Sequence, residues 1–162
     1  MREIKFRAYD EEANVMVYSD EHNLIDYAYE YFFEVGKDKV ACVFLVDYDD
    51  SFGAPATDRC EIKNVMQYTG LQDNNGKEIY EGDIVKFNKN CCRGYGVIKN
   101  GKYYSCCESC GEYGNLEVLG LYIETKYKTC DICKQLGISS DIHIEVIGNI
   151  YENLELLKNK QL

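Results

Sequence analysis

The sequence predicts a mainly β protein: a small, strongly bent, SH3-like β-barrel with an inserted cysteine-rich segment and one or two short helices. Three observations carry that expectation. Short runs of strand character recur along the chain, two Asn-Gly pairs fall between such runs, and further turn signals follow at close intervals. Met66 to Phe87 packs two turn signals and two short apolar runs into one stretch. Asn75-Gly76 supplies the backbone freedom that a primed hairpin turn requires, and Glu81-Gly82-Asp83 makes a second corner before Ile84, Val85 and Phe87 resume an apolar pattern. Strand, tight turn and strand thus follow one another inside a single short stretch.

Taken in order, Ile4, Phe6 and Ala8 alternate with Lys5, Arg7 and Tyr9, and Val15 to Tyr18 follows a polar turn, which predicts a hairpin with one face inward. Asn23 to Val35 places Leu24, Tyr27, Ala28, Tyr31, Phe32 and Val35 at helical spacing, with Asn23 as cap. The rival reading is a strand, because Tyr27, Tyr29, Tyr31 and Phe33 also alternate and aromatic residues favour strands. Val40 to Val46 is an apolar run of strand length. Asp47 to Thr57, with Gly53 and the only proline, Pro55, reads as a loop. Beyond Phe87, Val97 and Ile98 lead into Asn100-Gly101 and out through Tyr103 and Tyr104, which predicts a second two-residue hairpin. Leu116 to Ile123 is a further strand, Ile142, Ile144 and Val146 alternate in the last one, and Asn153 caps a short helix reaching Lys158.

Three segments resemble those of the YopX family of phage and prophage proteins. The most specific is Gln67-Tyr68-Thr69-Gly70-Leu71, followed by Asn75-Gly76-Lys77-Glu78-Ile79-Tyr80-Glu81-Gly82-Asp83-Ile84-Val85. Met1 to Asp10 is similar to the family's opening strand, and Ile144 to Asn153 to its closing strand and final turn. One departure stands out: the family commonly carries proline after the last asparagine, where this chain has Leu154. The resemblance brackets nearly the whole chain, implies a single YopX-like domain over residues 1–162 and a phage context, and carries no biochemical activity with it.

With 162 residues and 46% hydrophobic content, the chain can bury one substantial core. Its 28 acidic against 18 basic residues leave a net charge of −10. Such a charge repels nucleic acid and anionic membranes, since a phosphate-binding surface needs a basic patch. The amino-terminal charges Arg2, Glu3, Lys5 and Arg7 exclude a signal peptide, and no apolar run approaches a membrane span. The expected location is therefore the cytoplasm of a bacterial host.

Nine cysteines in that reducing compartment argue for thiols or a metal before disulfides. Seven of them fall within residues 90–140, read as an insertion in the barrel. Cys107-x2-Cys110 is followed, after 19 residues, by Cys130-x2-Cys133. Each pair places two thiolates on one knuckle, and two knuckles complete the four ligands of a structural zinc ribbon. Two readings stay open: a closed structural zinc site at Cys107, Cys110, Cys130 and Cys133, or a set of buried thiols behaving as small hydrophobes. Cys106 also offers a shifted register.

No nucleophile elbow, P-loop or dinucleotide fingerprint occurs, and neither His22 nor His143 has a nucleophile beside it in sequence. Asp73-Asn74-Asn75-Gly76 lacks the closing carboxylate of a calcium loop and reads as a turn. Asp47, Asp49 and Asp50 read as a solvated run, and the fifteen tyrosines as strand builders and a protein-contacting surface. The expectation is a non-enzymatic interaction module whose partner is a host or phage protein, with self-association through strand edges a further option. The alternative is a nucleic-acid-related protein, either a single-strand binder or an acidic DNA mimic acting on a host factor.

Overall fold

A computed structural model describes residues 4–20, 29–37, 39–49, 55–89, 92–107, 112–125, 129–131 and 143–159. Only the backbone is described at 29–30, 44–49, 55–58, 89, 92, 104–107, 112–116, 118, 129–131 and 159. The protein is mainly β, and it divides into two compact units, Met1–Gln67 and Tyr68–Leu162.

In the first unit, β1 (Phe6–Asp10) pairs with β2 (Val15–Tyr18) in the expected hairpin, Arg7 opposite Tyr18 and Asp10 opposite Val15. The Asp10 carboxylate shapes the turn by accepting from the amides of Glu12 and Ala13 at 2.9 and 3.1 Å. The first residues of β6 (Val65–Gln72) pair with the other edge of β1, Arg7 opposite Met66. One correction follows. All five residues of β1 are buried, Arg7 among them with its guanidinium against the Met66 sulfur at 3.5 Å, so this central strand has two covered faces where alternation predicted one.

A second sheet in this unit runs β3-β4-β5: β3 (Tyr29–Val35), β4 (Val40–Asp49) and β5 (Pro55–Ile62). The helix expected over 23–35 is corrected here, since 29–35 is a strand. Alternation prevails over helical spacing because Tyr31 and Phe33 point to a core shared with Ala8, Val17, Cys42 and Ile62. Residues 23–28 lie outside the described residues. The loop expected over 47–57 is also corrected. Strands extend to Asp49 and resume at Pro55, directly opposite each other, with proline at the first position of its strand, where a missing N–H is tolerated.

In the second unit the rest of β6 and β7 (Glu78–Tyr80) form the hairpin of the central motif, with Tyr68 opposite Tyr80. Its turn is longer than expected. The Gly76 amide donates to the Asp73 carbonyl at 3.0 Å, the Asp73 amide to the Lys77 carbonyl at 2.8 Å, and Gly76 alone takes positive φ, at 82°. Asn75 therefore does not adopt the conformation of a two-residue primed turn, and the geometry is that of a four-residue turn followed by a glycine bulge. Inside the hairpin, the Thr69 hydroxyl donates to the Ile79 carbonyl at 2.6 Å. The second corner is as expected: Gly82 has φ 82°, its amide donates to the Ile98 carbonyl, and its carbonyl accepts from the Ile150 amide.

The main sheet of this unit is β11-β10-β9-β8-β12, and it curls strongly into a half-barrel. Its strands are β8 (Asp83–Lys89), β9 (Cys92–Cys107), β10 (Glu112–Glu124), β11 (Thr129–Asp131) and β12 (His143–Asn149). Ile79, Val85, Phe87, Ile98, Ile123, Ile144 and Val146 fill its core. Segment 90–140 thus supplies core residues of the unit. At Gly96 the strands press together so closely that an added Cβ would stand 2.6 Å from the Glu124 carbonyl oxygen.

The hairpin expected at Asn100-Gly101 is corrected. β9 continues through it without turning back, Asn100 pairing with Leu121 and Gly101 with Gly120. Both glycines have positive φ, 151° and 158°, so the conformational freedom read as a turn serves a bend in a long ribbon.

The closing helix spans Glu155–Asn159 where residues 153–158 were expected. Asn153 does not cap it with its side chain. The Asn153 amide oxygen instead accepts from the Asn149 backbone at 3.3 Å, while the Asn149 side-chain oxygen accepts from the amides of Tyr151 and Glu152, both at 3.0 Å. No helix among the described residues is long and apolar enough to cross a membrane.

Candidate functional site

The central motif builds structure with its polar groups. Asp73 is buried, and its two carboxylate oxygens accept from the amides of Asn75 (2.8 Å), Lys77 (2.9 Å) and Val146 (3.0 Å). Burial opposes its ionisation, but the Val146, Lys77 and Asn75 amides and the Lys77 charge outweigh that effect and hold the carboxyl below its ordinary value. Beside it, the Asn74 side-chain oxygen accepts from the Ile144 amide at 2.6 Å and the Asn74 amide donates to the Ile144 carbonyl at 3.0 Å. The turn is thereby fastened to β12. Asp83, fully buried, accepts from the Tyr80 amide at 2.8 Å. These carboxylates brace the hairpin and its corner, in keeping with the turn reading of Asp73 to Gly76.

Of the four cysteines proposed as zinc ligands, Cys110 and Cys133 lie outside the described residues, and Cys107 and Cys130 are described in backbone only. The ladder puts Cys107 opposite Glu112 at the tip of the β9–β10 ribbon and Cys130 opposite Ile123 at its base. Eleven positions of β10 separate those partners, so a shared ion requires the ribbon to double back. Among the described residues no group of three or more His, Cys, Asp or Glu side chains is placed to hold a metal. His143 is exposed at the start of β12, whereas His22 and Asp50 lie outside the described residues, and Asp47 and Asp49 are described in backbone only.

A concave surface that sequence reading missed lies in the first unit. This groove of about 360 Å³ is lined by Tyr9 to Glu12 on one side and Cys60 to Asn64 on the other. At its inner end Asp10 is buried and accepts from the Tyr31 hydroxyl at 2.9 Å, and the Tyr9 hydroxyl donates to the Asn14 side chain at 2.6 Å. Asn14, at φ 55°, holds the left-handed conformation that closes the turn. Along the rim the Asn64 amide donates to Glu11 at 2.8 Å, and Lys39 donates to Glu61 at 2.8 Å, holding the Glu61 carboxyl below its ordinary value. Behind the groove Cys42 is fully buried, and burial followed by the Asp10 charge pushes its thiol up to about 12. Cys60, half-buried, faces the groove. Among the described lining residues four are acidic and one, Lys63, is basic, so the wall is suited to hydrogen-bond donors and cations. Its two sides lie some fifty residues apart in sequence, in two turns with no shared motif.

A search of curated proteins finds no match. Among solved structures, one that matches is titled the crystal structure of protein EF1440 from Enterococcus faecalis. It is 22% identical, covers 97% of this chain and 99% of that one, and has a TM-score of 0.44. The family model described as YopX protein matches residues 5–158, which takes in the central and closing segments that carried the resemblance and the opening one from Lys5 onward; the chain belongs to the YopX family.

Proposed function

We propose that this protein is a phage-associated accessory protein that acts without catalysis, by binding another protein in the cytoplasm of a bacterial host. One observation carries the reading: the polar groups of its most distinctive stretch, Asp73, Asn74 and Asp83, are engaged by the protein's own backbone, so the motif serves a scaffold. A scaffold with net charge −10 suits a basic partner surface, because complementary charge steers encounter and discriminates among partners. Affinity capture from host and infected-cell lysates, read by mass spectrometry, should return one protein reproducibly and lose it in high salt. Capture of none, or turnover of a small-molecule substrate by purified protein, overturns the proposal.

The same negative charge supports a second reading, an acidic mimic that occupies a host DNA-binding protein. It is separated from the first by adding duplex DNA, which displaces a mimic from its partner and leaves an ordinary protein contact intact. Direct binding of labelled oligonucleotides at low salt would instead favour a single-strand binder.

A further inference from the structure

We draw no further inference here: the strongest candidate, the acidic groove between the β1–β2 turn and the β5–β6 turn, carries nothing because Asp10, Glu11 and Glu61 are engaged by Tyr31, Asn64 and Lys39 and nothing in the structure points to what would occupy it.

Discussion

The rings of Tyr103 and Tyr122 stack with centroids 4.8 Å apart, although their backbones stand four positions apart on the β9–β10 ladder. In a straight ribbon four positions span about 13 Å. Between the two tyrosines lies the opposed pair Gly101 and Gly120, both at positive φ, and the ribbon bends there to bring the rings together. Replacing Gly101 with alanine meets no steric obstacle, since an added Cβ would have nothing within 4 Å, so its cost is backbone strain alone. Gly101→Ala should therefore lower stability by about 1–3 kcal/mol and weaken the near-ultraviolet dichroism of the tyrosine pair. An unchanged urea midpoint would show that the bend does not depend on glycine.

Asp73 gives a prediction with a pH signature. Asp73→Ala leaves three amides without their acceptor and should cost about 2–3 kcal/mol, with Asp73→Asn intermediate. The folded-state carboxyl sits below its ordinary value of 3.8, so its contribution is fully present above that pH and disappears as pH falls through the lower folded value. Urea midpoints of the parent should fall more steeply than those of Asp73→Ala below about pH 4. Parallel curves in that range would remove the carboxylate from the account.

The two described free cysteines should differ in reactivity. Cys42, with its thiol pushed up to about 12, stays protonated at pH 8 and is shielded from solvent, whereas Cys60 is half-buried at the groove. Brief alkylation of native protein, mapped by peptide mass, should modify Cys60 and spare Cys42, and urea should equalise them. Early labelling of Cys42 would mean that the first unit opens far more readily than its core packing implies.

A structural zinc at Cys107, Cys110, Cys130 and Cys133 predicts about one equivalent per chain in protein purified under reducing conditions, because a structural site forms together with the fold. Cys110→Ser or Cys133→Ser should lower the metal content sharply, and Cys42→Ser or Cys60→Ser should leave it unchanged. Loss on Cys106→Ser alone would shift the register of the first knuckle. Zinc-free protein by elemental analysis ends the proposal and leaves these residues as thiols.

Legibility followed how local each cause was. The Ile84-Val85-Phe87 strand, its preceding corner and the Phe6 to Tyr18 hairpin were readable because apolar alternation and turn residues sit side by side in the chain. Asn100-Gly101 was misread because a glycine's freedom looks the same in sequence whether it turns a chain back or bends a ribbon. Over 29–35 the aromatic residues satisfied two periods, and only the partner strand β4 decides between them. The groove left no trace in sequence, since Tyr9 to Glu12 and Cys60 to Asn64 meet only through the fold.

The bonds from Asp73 and Asn74 to β12 join residues 73 and 70 positions apart, which bears on how the second unit is made as well as how it is held. A ribosome releases the turn long before it releases β12. Until Ile144 and Val146 emerge, the nascent unit lacks both an edge strand and two core side chains. Closure of so long a loop is an entropic step that local hairpins cannot replace. Chains stalled before residue 143 should therefore be captured by chaperones and proteases, and release of β12 marks the moment at which the unit becomes self-sufficient.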